Sequence, residues 1–329
     1  MSLSQTALEA LPNLTGLDVR RGVPLSQYTR FGIGGPADYF LETGDEETFL
    51  KALRSVRGAG VPFLVLGAGT NLIVHDEGYR GVILRYVNAD LHIEKGLVHA
   101  ASGVLLQKLV DFSIAAGLAG LHTMTGIPGW VGAALYGNAG AYGHSIAEFV
   151  QEVRYFDGSA LCFLDNRGCE FAYRESVFKR RKEWIILSAK LSLPGGEKDK
   201  LAAEADRILE IRNAKYPPTM KCAGSIFKNL LWEQLPEHVR GLVPAGVVRD
   251  GKVPSAWFLE QVEAKGMRLG GIVVASYHAN LIYNEDGGTA AELRSIIQTL
   301  KQRVLDRFGF LVEEEVQYVG FPEAKASGG

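Results

Sequence analysis

Gly126-Ile-Pro-Gly-Trp-Val-Gly-Ala-Ala-Leu-Tyr-Gly-Asn-Ala-Gly-Ala-Tyr-Gly143 is the stretch on which the fold reading turns. Glycines 126, 129, 132, 137, 140 and 143 are interleaved there with small and aromatic residues, a composition that suits no ordinary helix or strand. Glycine inside an element costs roughly 0.5–1 kcal/mol relative to alanine, so its repetition implies positive φ or a backbone lying against something bulky. A second loop, Leu66-Gly67-Ala68-Gly69-Thr70-Asn71, follows the apolar run Phe63-Leu64-Val65 and offers clustered N–H groups to a phosphate. Together the two loops predict a phosphate-bearing cofactor.

Working outward, 329 residues predict two or three domains. A net charge of -2 argues against a nucleic-acid partner held by a basic field, and the one basic run, Lys179-Arg180-Arg181-Lys182, reads as a solvated loop or strand edge. Cys162, Cys169 and Cys222 form no CxxC pair, so neither a disulfide framework nor a metal site is expected, and a reducing, cytoplasmic setting fits. The amino end lacks the pattern of a signal peptide, no apolar run reaches the roughly 18–20 residues of a membrane helix, and residues 321–329 read as a disordered tail.

Apolar spacing predicts helices over Glu46–Val56, Val104–Ala116 and about Leu201–Arg212. Short strands are predicted at Pro62–Leu66, Gly81–Tyr86, Leu91–Ile93, Leu97–Ala100, Glu152–Phe156, Leu161–Phe163 and Trp184–Leu193. Thr289-Ala-Ala-Glu292 is a capping box opening a last helix whose apolar face runs from Leu293 to Leu305, with Gly309 after its end and a strand over Leu311–Val319. The polar break Gly195–Lys200 is the best candidate for a domain boundary.

A dinucleotide-binding G-x-G-x-x-G is absent, because Leu72 stands where the third glycine belongs, and no G-K-[ST] follows either glycine pair. What the chain does carry, in one order, is Tyr28-Thr-Arg-Phe-Gly-Ile-Gly-Gly-Pro-Ala-Asp38, Gly67-Ala-Gly-Thr-Asn71, Gly126-Ile-Pro-Gly129 with Asn138-Ala-Gly-Ala-Tyr-Gly143, Tyr173-Arg-Glu-Ser-Val-Phe-Lys179, Ala223-Gly-Ser-Ile-Phe-Lys-Asn229 and His278-Ala-Asn280. That series, spanning roughly Tyr28 to Gly320, resembles the UDP-N-acetylenolpyruvoylglucosamine reductases. The resemblance implies an α+β architecture: a two-subdomain FAD-binding fold of the vanillyl-alcohol-oxidase (PCMH) type, over 1–86 and 87–197, plus a C-terminal α+β substrate domain over 198–320.

The same resemblance implies noncovalent FAD, NADPH as co-substrate and a UDP-sugar substrate reduced in peptidoglycan precursor synthesis. It assigns FAD binding to Gly67, Ala68, Gly69, Thr70 and Asn71 and to Gly126, Ile127, Pro128, Gly132, Asn138, Ala139, Gly140, Tyr142 and Gly143. It assigns the proton donor to Ser225, the substrate-carboxylate ligand to Arg174, a carboxylate partner to Glu315, and substrate contacts to Lys215, Lys228 and Asn229. A serine hydroxyl is a very weak acid, so that role requires strong local charge; Lys215, Lys221 and Lys228 are near in sequence. The planar guanidinium of Arg174 suits a carboxylate onto which charge spreads.

From spacing alone, Ser225 is a turn residue, Arg174 a surface ion-pair partner and Glu315 one of three solvated glutamates, and only the motif context reverses those readings. His278 reads as a packed histidine, and His75 lies outside the turn from which a covalent flavin link would come. The short Arg174–Ser225 spacing is similar to the subgroup without an inserted loop over the substrate, whereas residues 231–255 are extra. Leu230, Gln317 and His122 depart from the usual family residues. Two other functions stay open at this point: a different flavin oxidase or dehydrogenase on the same fold, and a noncatalytic nucleotide binder.

Overall fold

The computed structural model describes residue 11 and residues 14–322. The chain divides into two compact units, the first from residues 1–23, 37–68 and 81–218, the second from 24–36, 69–80 and 219–329.

Unit 1 holds two sheets. In the first, strands run in the order Asp18–Pro24, Pro36–Thr43, Tyr79–Tyr86, Phe63–Val65, the last pair parallel with Phe63 opposite Val82. The helix Glu46–Gly58 lays Phe49, Leu50, Leu53 and Val56 on this sheet's core, and Asp45 caps it by accepting from Thr48 N–H. The second sheet has the order Leu161–Asp165, Val150–Phe156, Ile185–Leu191, Leu97–Ala101, Leu91–Glu94 and is antiparallel throughout. Its core is continued by the helix Leu106–Ala115 and by Leu121, Met124, Val131 and Leu135.

The glycine-rich stretch differs from expectation, since Val131–Tyr136 is a short helix. Its glycines serve the protein's own packing. A Cβ on Gly132 would lie 2.8 Å from Ser102 Cβ, and one on Gly140 2.2 Å from the His144 carbonyl oxygen. The helix expected to open the substrate domain also falls elsewhere. Lys198–Lys215 packs against the turn Leu121–Met124 and the helix Leu106–Ala115, so it belongs to unit 1, and that unit ends at Pro218.

Unit 2 contains a three-stranded antiparallel sheet, Arg268–Leu269, Ile272–Val274 and Ile282–Asn284, and a parallel pair joining Gln317–Val319 to Leu72–Val74. Its long helix, Ala290–Phe308, begins on the reciprocal Thr289/Glu292 capping box and ends on Gly309 at φ 76°. Only Gln317–Val319 of the expected strand Leu311–Val319 pairs as one. The extra segment is a packed excursion closed at its base by Leu230–Leu231 against Lys252–Val253, with Leu235, Val239 and Val253 buried. Of the expected tail, residues 323–329 lie outside the described residues, while the Phe321 ring packs edge-on against His75 and Tyr318.

Candidate active site

The start of the first glycine loop, Gly67-Ala68, lies beside the second glycine segment in unit 1. A Cβ on Gly67 would sit 3.8 Å from both Ala133 Cβ and the Trp130 ring. Gly126, Gly129, Asn138, Tyr142 and Gly143 all have positive φ, and Tyr142 stays 52% exposed. Among the described residues the amides of Gly67 and Ala68 join no backbone hydrogen bond. Loop amides left over beside a small-residue helix form a cradle that accepts an anionic group, so the donor set fits the diphosphate of FAD.

Other residues assigned to the cofactor are fixed within the second glycine segment through their backbones. Gly132 N–H donates to the Ser102 carbonyl, Ala139 N–H to Ala134, and Ile127 packs on the second core while its N–H donates to Met124. Pro128 directly precedes the bend at Gly129. The Gly126 N–H donates to the Gln107 side chain at 2.7 Å.

The turn carrying Arg174 is fastened to this stretch from three sides. Asn138 Nδ2 donates to the Ala172 carbonyl at 2.8 Å, Ser176 Oγ to the Tyr136 carbonyl at 2.7 Å, and Arg174 Nη1 to the Gly140 carbonyl at 3.2 Å. Arg174 itself has φ 59°, a left-handed conformation that non-glycine residues seldom adopt and that persists only where the surroundings enforce it. Lys179 Nζ donates to the Arg174 carbonyl at 2.8 Å and pairs with Glu175 at 3.0 Å, closing the turn. Lys215 stands on the last turn of the helix Lys198–Lys215, its ammonium 5.0 Å from the centre of the Tyr216 ring.

In unit 2 the segment Ser225–Lys228 runs antiparallel to Glu313–Glu315. Glu315 N–H donates to the Ile226 carbonyl at 2.7 Å and Lys228 N–H to the Glu313 carbonyl at 2.9 Å, with Phe227 bridged to Glu314. On its other side this segment meets Asn280, which is 2% exposed. The Asn280 side chain accepts from Phe227 N–H at 2.9 Å and donates to the Phe227 carbonyl at 2.8 Å, while its carbonyl accepts Ile226 N–H. His278 Nδ1 in turn accepts Asn280 N–H at 3.2 Å. Asn280 stands in a sequence motif that gives it no role; its one signal is a polar residue wedged between Ala279 and the apolar pair Leu281-Ile282.

Asn71, assigned to the cofactor, also reaches this pair. Its Nδ2 donates to the Glu315 carbonyl at 2.9 Å, and its own carbonyl accepts Gln317 N–H. Just before it, Gly69 at φ 62° lies so close to the Tyr28 carbonyl that a Cβ would come within 1.7 Å, and the Gly69 carbonyl accepts Arg30 N–H. Thr70 links the two. Of the three glutamates, Glu313 pairs with Lys228 and Glu314 with Lys301. Asn229 Oδ1 accepts Ser255 N–H at 3.3 Å, tying the Ser225 segment to the base of the extra excursion.

Comparison with known proteins agrees with this geometry. Residues 37–160 match the FAD binding domain family, and residues 216–319 match the UDP-N-acetylenolpyruvoylglucosamine reductase C-terminal domain family. The UDP-N-acetylenolpyruvoylglucosamine reductase of Solibacter usitatus is 60% identical over 95% of this chain and 99% of its own. That of Anoxybacillus flavithermus is 32% identical over 92% of this chain and 94% of its own. The crystal structure of the reductase from Thermus caldophilus superposes with a TM-score of 0.72 at 27% identity, covering 92% of this chain and 99% of that one. A relative this similar over nearly its full length leaves one assignment: the chain belongs to the UDP-N-acetylenolpyruvoylglucosamine reductase family.

Proposed function

We propose that this protein is an FAD-dependent oxidoreductase that uses NADPH to reduce UDP-N-acetylglucosamine enolpyruvate to UDP-N-acetylmuramate, a peptidoglycan precursor. The observation that carries the reading is the 60% identity, over nearly the whole of both chains, to a protein named for that reaction. FAD, held noncovalently, supplies the electron transfer from NADPH to the enolpyruvyl double bond. Noncovalent attachment is supported at His75, whose Nδ1 accepts Glu77 N–H and whose ring packs on Phe321.

The chain's own residues then have separate tasks. Ser225 gives its hydroxyl proton to the carbon that bears the carboxylate, and Glu315 is the carboxylate counterpart of Arg174. Arg174, fixed by its strained turn, binds the substrate carboxylate as negative charge grows on it. Lys215 and Lys228 contact the substrate; the Lys228 side chain is only 11% exposed and pairs with Glu313. Asn229 orients the Ser225 segment through Ser255. Among the described residues, no helix is long and apolar enough to cross a membrane.

Stopped-flow absorbance at the flavin band tests this. Ser225→Ala should leave NADPH-driven bleaching intact and lose formation of UDP-N-acetylmuramate by roughly 10²–10⁴-fold, the span of general acid catalysis. Unchanged product formation sinks the assignment of Ser225. FAD-loaded parent protein that fails to consume NADPH on addition of the enolpyruvyl substrate sinks the function.

A further inference from the structure

The hairpin Leu91–Glu94/Leu97–Ala101 in unit 1 carries a cluster that the reductase chemistry does not use. Its turn has Lys95 at φ 52° and Gly96 at φ 79°, and two consecutive left-handed residues make the tight type I′ reversal that sets the strands in fixed register. In that register His92 stands directly opposite His99, and Glu94 opposite Leu97. Side chains alternate along a strand, so His92 and Glu94 share one face of their strand, and His99 meets them there from its partner. The two imidazoles lie nearly parallel at 16° with centroids 4.9 Å apart. One ligand atom from each of His92, Glu94 and His99 falls within 4.8 Å of the others.

Two carboxylates surround the two rings. Asp90 Oδ2 is 3.0 Å from His92 Nδ1, and Glu94 Oε2 is 3.9 Å from His99 Nε2. The first contact leaves His92 Nε2 to face a ligand, the carboxylate–imidazole arrangement that orients metal-bound histidines. The neighbouring cations have other partners: Lys190, opposite His99, pairs with Glu152 at 2.8 Å, and Lys95 sits 3.6 Å from Glu94 Oε1 in a highly exposed contact that a dication readily replaces.

We propose that His92, His99 and Glu94 form a binding site for a borderline divalent transition-metal ion, with Zn²⁺ as the type case and Asp90 as the residue that orients His92. Two nitrogens and one carboxylate oxygen suit Zn²⁺, Co²⁺ or Ni²⁺ and not Mg²⁺ or Ca²⁺, which prefer all-oxygen sets. Tetrahedral zinc places its donors about 3.3 Å apart, and a fourth position goes to water. The side chains are on an open surface, so torsional adjustment closes the remaining gap. Because Leu91–Glu94 is the last strand of its sheet, the ion clips an edge strand to its neighbour.

Calorimetric titration tests the site on tag-free, FAD-loaded protein freed of metal by chelator and exchanged into chelator-free buffer. Zinc chloride should bind saturably at this site, and cobalt(II) chloride should give the visible bands of a tetrahedral nitrogen–oxygen centre. His92→Ala and His99→Ala should each weaken zinc binding at least tenfold, and Asp90→Asn about tenfold, while flavin absorbance and content stay as in the parent. Absence of saturable zinc binding overturns the proposal. So does a His92→Ala/His99→Ala double variant, folded by its flavin spectrum, that binds zinc and cobalt as the parent does.

Discussion

Replacing Asn280 by alanine should damage the proposed acid segment more than any change on its surface. The Asn280 side chain is the partner of both backbone polar groups of Phe227, at 2.9 Å for the N–H and 2.8 Å for the carbonyl, and Phe227 is buried. Alanine leaves both groups orphaned in an apolar surround, and each unsatisfied buried group costs about 1–3 kcal/mol. The sum, about 2–6 kcal/mol, is a large share of a typical stability of about 5–15 kcal/mol. Asn280→Asp gives no rescue, because it keeps the acceptor for Phe227 N–H, loses the donor to the carbonyl and buries a charge.

The assay has three parts: the urea midpoint followed by tryptophan fluorescence, hydrogen exchange at the Phe227 amide, and the two halves of turnover. The midpoint should fall, Phe227 should lose protection, and product formation should drop while flavin reduction by NADPH persists, since Ser225 lies two residues from the loosened peptide. A loss under about 1 kcal/mol together with normal product formation would refute the clamp, because neither orphaned group could then be bearing its desolvation cost.

Other outcomes follow from single contacts. Gly69→Ala puts a Cβ within 1.7 Å of a carbonyl at a left-handed position, so the protein should lose FAD on gel filtration and melt earlier; an unaltered melting curve counts against that contact. The Ala160 amide, then the Ser159 amide and hydroxyl, hold the Asp157 carboxyl well below the usual carboxylate range. A depressed folded value stabilises above the unfolded value of about 3.9 and is lost as pH falls through the folded one, so Asp157→Asn should flatten the stability profile below about pH 4. A profile parallel to the parent's contradicts this. Burial pushes the Cys169 thiol up to about 12, and Cys222 is equally enclosed, so a thiol reagent at pH 8 should find at most Cys162 before denaturation and all three cysteines after it. Two or more fast-reacting thiols in the native protein would contradict the burial.

What can be read from the sequence is what neighbours in sequence decide. The helix at Glu46, the capping box at Thr289 and the Gly309 stop are local chemistry, and each stands where the pattern puts it. The helix inside the glycine-rich stretch escapes such a reading, because glycine counts against helix by propensity and tertiary packing overrides it. There the glycines answer to Ser102 and His144, contacts that no local pattern reveals. The strand over Leu311–Val319 is shortened for a similar reason: its parallel partner Leu72–Val74 offers pairing to Gln317–Val319 alone. The metal-ligating set is invisible in the sequence because His92, Glu94 and His99 make no recognised spacing until a hairpin register puts them face to face.

The proposed role of Glu315 shows how structure adds a physical reason to a pattern match. In the sequence, three consecutive glutamates are separated only by the valine that follows the last of them. The structure separates them by partner: Lys301 and Glu314, both mostly buried, stand 2.7 Å apart, and Lys228 takes Glu313. Removing one member of a partly buried pair exposes the other's charge to a poor solvent, so Glu314 is held by the Lys301 it neutralises. The Glu315 main chain is held between Ile226 and Asn71. Glu315→Gln keeps those main-chain bonds and should lower turnover, while Glu314→Gln strands the Lys301 ammonium and should lower the unfolding midpoint.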